Sequence, residues 1–222
     1  MPASKRTSGQ RWATFDCYGT LIDWNGGIGR ELERLLGATR VGERLNAYHE
    51  LEPQIQREEP GRSYREVMAV ALSRLGAPAD EQDALGRSLP EWKPFPEVPA
   101  ALEGARARGW RLAVLSNTDP DLLDASLARI GVGFDLTVVA SEIGSYKPAP
   151  AHWEEFFARS GADRGGHVHV AASLFHDIAP ASSLGLRTIW INRLGEEAEP
   201  QPDVELHSLT GLGESLERLV PA

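Results

Sequence analysis

Asp16 stands directly after the apolar run Trp12 to Phe15 and three residues before Gly19, a carboxylate at the end of a strand-like segment. A carboxylate held there can attack an electrophilic carbon or phosphorus, giving an ester or acyl phosphate that water then hydrolyses. Such an attack needs positive charge nearby to keep the carboxylate ionised, and Lys147, in Ser145-Tyr146-Lys147-Pro148, can supply it. Ser116 and Asn117 end a second apolar run with a hydroxyl and an amide suited to hold a substrate carboxylate or phosphate. Ser173 to Asp177 follows a third run and adds His176 and Asp177. Each also has a plain structural reading: Asp16 as a cap or turn residue, Ser116-Asn117 as a turn before the helix start at Asp119-Pro120, Lys147 as a solvated loop lysine, and His176 as a packing residue.

The elements that must position these residues alternate. Strand-like segments at Trp12 to Phe15, Arg111 to Ser116, Leu136 to Ala140, Val168 to Ala171 and Arg187 to Ile191 are separated by helical patterns at Pro99 to Arg108, Asp119 to Ile130, Pro150 to Ser160 and Pro180 to Leu184. This alternation predicts an α/β fold, a doubly wound parallel sheet with helices on both faces, whose ligands sit at the carboxyl ends of the strands. Asp16, Ser116-Asn117 and Ser173 to Asp177 are the polar residues at those ends, so they must converge. Residues 23–94 break the pattern with helical stretches (Ile28 to Leu36, Gly42 to Arg57, Tyr64 to Leu75, Glu81 to Leu89) and no convincing strand. The chain is therefore divided into an α/β core, 11–22 and 95–222, and an inserted all-helical cap, 23–94. Gly26-Gly27 and Lys93-Pro94-Phe95-Pro96 mark its ends as plausible hinges.

Composition bounds the partners. A formal charge of −9, from 23 Lys+Arg against 32 Asp+Glu, argues against nucleic acid or an anionic membrane surface, though not against a small anionic substrate. The single cysteine, Cys17, cannot form an internal disulfide, and no apolar run reaches the roughly 20 residues that cross a bilayer. Met1 to Arg11 carries positive charge without an apolar region behind it and does not read as a signal peptide, so a cytoplasmic location is expected. Trp24, Trp92, Trp110 and Trp153 read as packing residues, Trp24 being placed to reach the mouth of a pocket.

Four ordered segments, Phe15-Asp16-Cys17-Tyr18-Gly19-Thr20-Leu21, Leu115-Ser116-Asn117, Ser145-Tyr146-Lys147-Pro148 and Asp177 after the fourth strand, resemble the motifs of the haloacid dehalogenase-like superfamily. The resemblance covers Trp12 to Arg193. It implies a Rossmann-like core with a cap, a covalent ester on Asp16, Lys147, Asp177 and Ser173 as catalytic residues, and Tyr18, Thr20, Ser116 and Asn117 binding substrate; His176 and His49 join them as catalytic and substrate-binding candidates from their places in this chain.

Phosphatases of the superfamily carry a general-acid aspartate two residues after the nucleophile, where this chain has Tyr18. Tyr18 and the all-helical insertion resemble the L-2-haloacid dehalogenase branch, whose halide leaving group needs no proton. That implies a small 2-substituted carboxylic acid as substrate and no cofactor or metal. It also leaves room for a homodimer through the inserted helices. Two departures qualify the match. His49 falls where that branch has a carboxylate-binding arginine, and a neutral imidazole is the poorer clamp. Leu174 replaces the asparagine of the Ser-Ser-Asn run, and His176 is an addition. With Phe-Asp-Cys-Tyr-Gly-Thr-Leu-Ile-Asp-Trp at the start, the run Ser-Leu-Phe-His-Asp resembles the ring-opening L-azetidine-2-carboxylate hydrolases, where a nitrogen leaves and His176, His49 or Tyr18 could protonate it. A phosphatase would instead hold Mg²⁺ between Asp16 and Asp177, and a non-catalytic ligand-binding relative is the remaining alternative.

Overall fold

The computed structural model describes residues 10–222. Met1 to Gly9, most of the segment read above for a signal peptide, lies outside the described residues. Six strands form one parallel sheet in the order β3-β2-β1-β4-β5-β6: β1 (Arg11–Phe15), β2 (Trp110–Ser116), β3 (Leu136–Val139), β4 (His167–Ala171), β5 (Arg187–Ile191) and β6 (Val204–Leu206). The central strands are apolar on both faces because helices cover both. Trp12 packs on one face with Leu115, Val138, Trp153 and Phe156. Ala13 and Phe15 join a cluster on the other face that continues into the insertion through Ile28, Leu32, Tyr48, Met68, Leu85 and Trp92. Fully burying side chains of this size contributes about 1.5–3 kcal/mol each.

The helices run α1 (Trp24–Leu36), α2 (Val41–Glu58), α3 (Tyr64–Arg74), α4 (Ala84–Ser88), α5 (Val98–Ala107), α6 (Pro120–Ile130), α7 (Ala140–Ile143), α8 (Ala151–Ser160), α9 (Ala179–Ser183) and α10 (Leu212–Leu219). The first four fill the insertion and pack on one another. Local chemistry sets their starts. Asp23 Oδ1 accepts from Gly26 N at 3.0 Å to cap α1, and Ser63 with Glu66 forms a reciprocal capping box on α3. α2 contains Pro53, which has no N–H to give to the carbonyl four residues back, that of His49.

The sequence expectations need three corrections here. Gly26 and Gly27 do not form a hinge; they lie in the first turn of α1, where a Cβ on Gly27 would stand 2.3 Å from the Trp92 ring. Ala140 opens α7 rather than ending β3. The three-residue β6 was missed, being too short to show a period. The Pro-rich stretch is an extended connection paired with the segment leading in: Asp23 N donates to Lys93 O at 2.9 Å, and Phe95 N to Leu21 O at 3.0 Å. Among the described residues no helix is long and apolar enough to cross a membrane.

Candidate active site

The strand order reverses at β1, with β2 on one side and β4 on the other, so the crevice at their carboxyl ends is the expected ligand position. A cavity of about 680 Å³ opens there, lined from the sheet by Asp16, Ser116, Lys147 and Asp177 and from the insertion by Trp24, His49, Glu52, Gln56, Arg57 and Tyr64.

Asp16 and Asp177 meet at Lys147. Its Nζ donates to Asp16 Oδ1 at 2.9 Å, Asp177 Oδ1 at 2.6 Å and Leu115 O at 2.8 Å, which occupies all three N–H groups. Burial works against the ammonium, but the two carboxylates outweigh it and raise the Lys147 pKa. Asp177 takes the shorter contact and also accepts from His169 Nε2 at 3.0 Å. Burial opposes its ionisation too, yet Lys147 and His169 hold its pKa well below the carboxylate range. Asp16 is raised instead, because burial exceeds the compensation from Lys147 and the Asp177 charge adds to it. Three groups with a net charge of −1 thus form a fixed anionic floor.

Two residues expected to bind substrate are tied to this floor, Thr20 behind it and Asn117 at the cavity. Thr20 is fully buried, and its hydroxyl donates to Asp16 Oδ2 at 3.0 Å while accepting from Ala172 N at 2.9 Å. It orients the Asp16 carboxylate and does not line the cavity. Asn117 uses both ends of its amide on one partner: Nδ2 donates to Lys147 O at 3.0 Å and Oδ1 accepts from Lys147 N at 2.7 Å. Its side chain clamps the lysine loop.

The Ser116 hydroxyl is buried at the cavity with no hydrogen-bond partner among the described residues. Tyr18 offers the cavity its ring, whereas its hydroxyl is engaged by Ser126 Oγ at 3.1 Å and Leu122 O at 3.3 Å. Ser173 caps a wide turn, Leu174–Ile178, in which Ile178 N reaches back five residues to Ser173 O. Such turns recur at functional sites. The Ser173 hydroxyl accepts from His176 N at 3.0 Å and stands 3.2 Å from His176 Nδ1. Burial lowers His176 to about 4, so at neutrality its ring is uncharged, with one N–H donor and one acceptor nitrogen.

His49 stacks on Trp24, rings 4.8 Å apart, and its Nε2 donates to Asn25 Oδ1 at 2.9 Å. Burial lowers its pKa, so it lacks the charge a carboxylate clamp needs. Sequence reasoning missed Arg57, two turns further along α2, an exposed residue that borders the same cavity and makes no ion pair among the described residues. It also missed Glu52. His49, Glu52, Pro53 and Gln56 fall on one stripe of α2 facing the cavity. Glu52 is 6% exposed, and burial followed by the Asp16 charge pushes it up to about 7, against a hydrogen bond from Tyr64. The i, i+3, i+4, i+7 spacing of that stripe was the available signal.

The pair that a divalent cation would need, Asp16 and Asp177, turns its facing oxygens onto Lys147. No group of three or more His, Cys, Asp or Glu gathers among the described residues. With Asp16 Oδ2 also bonded to Thr20 and Asp177 Oδ2 buried, the pair is a poor seat for Mg²⁺, which one or two free carboxylates and waters would hold.

A family model described as haloacid dehalogenase-like hydrolase matches residues 11–185. A curated (S)-2-haloacid dehalogenase of Pseudomonas sp. strain YL is 31% identical over 216 residues, 91% of this chain and 93% of that protein. A phosphoserine phosphatase of Thermus thermophilus is 28% identical over 152 residues, 67% of this chain and 61% of that protein. The solved L-2-haloacid dehalogenase of Xanthobacter autotrophicus with chloropropionic acid covalently bound superposes with a TM-score of 0.79 at 20% identity, covering 93% of this chain and 98% of the other, a likeness of fold.

Proposed function

This chain belongs to the haloacid dehalogenase-like hydrolase family, and from that premise we propose that it hydrolyses the bond between C2 and a heteroatom, a halide above all, in a small 2-substituted carboxylic acid. The observation that carries the reading is Lys147 bridging Asp16 and Asp177 at the cavity floor, with Tyr18 where a phosphatase would hold its acid. A carboxylate oxygen of Asp16 attacks C2 and the halide departs with the bonding electrons, leaving a C2 ester on Asp16. Water then adds to the ester carbonyl, releasing a 2-hydroxy acid and restoring Asp16.

Arg57 receives the substrate carboxylate, in place of the arginine that His49 replaces; its position at the cavity rim without an ion-pair partner among the described residues supports this. Asp177 orients the water, since a carboxylate held so far below its ordinary pKa accepts a hydrogen bond better than it keeps a proton. No step calls for a cofactor. Residues 23–94 act as the cap that selects substrate over the core of 11–22 and 95–222. The enzyme works in the cytoplasm, as a monomer or as a homodimer through the cap, with neither nucleic acid nor membrane as partner. A single turnover in oxygen-18 water with enzyme in excess tests the chemistry: label enters Asp16 first, and label found directly in the product refutes it.

One observation favours a second reading. Glu52, its pKa pushed up to about 7 first by burial, lines the cavity with Asp16. A nitrogen or oxygen leaving group needs a proton donor, so ring opening of a strained cyclic 2-amino acid is the alternative. Protonation by Glu52 would replace the roles first assigned to His176, His49 and Tyr18.

A further inference from the structure

β4 carries two histidines in alternation with valines, His167-Val168-His169-Val170. The period of two turns both rings to one face of the sheet. Pairing with β1 sets Thr14 directly beside His169. Thr14 Oγ1 lies 2.8 Å from His169 Nδ1 and 2.8 Å from His167 Nε2. All three side chains are fully buried. The edge of the Trp153 ring closes on His169 at 5.2 Å. The other ring nitrogen, Nε2, reaches Asp177 Oδ1. A polar chain therefore runs through an otherwise apolar sheet and ends on a carboxylate of the active site. Burying such groups is costly unless each is paired, and none of them touches the cavity.

The geometry points to His169 as a positioning residue for the second half-reaction, hydrolysis of the ester on Asp16. This rests on the ester reading above. Lys147 divides its three N–H groups among three acceptors and gives Asp177 one bond, to Oδ1, and a single contact leaves the carboxylate able to turn about its Cβ–Cγ bond. His169 is a planar donor wedged between Thr14 and Trp153, and it fixes Oδ1. Oδ2 is then held in one direction, buried and with no partner among the described residues, and it is the carboxylate oxygen left free to accept from the hydrolytic water.

The step balances around this oxygen. Water oxygen bonds to Asp16 Cγ as its proton passes transiently to Asp177 Oδ2. The bond from Cγ to the substrate oxygen breaks, and that oxygen takes the proton from Asp177, giving the 2-hydroxy acid. Asp16 is left as a carboxylic acid that loses its remaining proton to solvent. The first half-reaction uses neither Oδ2 nor water, so it does not need His169.

The test follows (S)-2-bromopropionate through rapid quench with full-length wild type, His169→Phe, Thr14→Val and His169→Gln. Bromide release in the first turnover and intact mass for the 1-carboxyethyl adduct separate the two steps. In His169→Phe the bromide burst stays within about threefold of wild type, while ester hydrolysis slows roughly tenfold or more and the adduct accumulates. Thr14→Val, nearly the same shape as the native residue, lets the ring turn and gives a smaller effect of the same kind. His169→Gln, which keeps a donor, recovers part of the rate. Equal slowing of both steps means His169 only supports the sheet and overturns the inference, as does an unchanged second step. Wild type that releases bromide without ever forming the adduct overturns the ester reading and this inference together.

Discussion

Replacing Glu52 by glutamine removes a proton-linked contribution to stability that can be computed from its position. In the folded protein the carboxyl sits at about 7, raised first by burial and then by Asp16, against an ordinary value of 4.5. Between those pH values the native state keeps a proton that the unfolded chain has released. The folded-state pKa is the higher one, so the associated stability is fully present below about 4.5 and declines as pH rises to about 7, then stays flat. Each pH unit in the window is about 1.36 kcal/mol, and from pH 5 to pH 8 the loss is about 2–3 kcal/mol. His176, lowered to about 4, and His152, lowered to about 3, act oppositely, because the unfolded chain binds their protons first. Wild type alone therefore shows only the sum. Urea unfolding of wild type and Glu52→Gln at pH 5 and pH 8 isolates the term, since the histidine contributions cancel in the difference. The wild type loses about 2–3 kcal/mol more than the variant over that interval. Equal losses in the two proteins would show that Glu52 is ionised in the native state and would refute its assignment as a proton-carrying group.

Four further outcomes are expected. Arg57→Ala raises KM for the carboxylate substrate roughly tenfold or more with little change in kcat, as loss of a charged hydrogen bond implies, and steady-state kinetics reads the split. Lys147→Met leaves two buried carboxylates facing each other and lowers stability by about 3–5 kcal/mol at neutral pH, recoverable in part at low pH, which denaturant unfolding measures. Gly27→Ala drives a methyl into the Trp92 ring and costs about 1–3 kcal/mol, seen as a lower melting temperature. Dehalogenation proceeds undiminished in EDTA; loss of activity restored by Mg²⁺ would favour the phosphatase alternative.

The sheet was legible because each central strand is a short apolar run ended by a polar residue, and Asp16, Ser116 and Ser173 come from just those ends. Lys147 and Asp177 could be placed beside Asp16 from motif order alone. The roles of Thr20 and Asn117 could not be read that way. A hydroxyl or an amide near a nucleophile is equally suited to substrate or to scaffold, and only the hydrogen-bond partners decide. Glu52 and Arg57 stayed hidden for a different reason: a helix face becomes a cavity wall only once its direction relative to the sheet is known. His169 was overlooked although the alternation in β4 displayed it, since a histidine between valines in a strand reads first as packing.

The two paired connections at Leu21 to Asp23 and Lys93 to Phe95 have a consequence for exchange of parts. The insertion leaves and rejoins the core at neighbouring points, so what lies between is a cassette whose ends are already stitched together. Asp16, Lys147 and Asp177 stand on one side of that seam, and Trp24, Glu52 and Arg57 on the other. A foreign cassette with the same two end-to-end hydrogen bonds could be grafted at the seam, retuning what is admitted while the reacting groups keep their places.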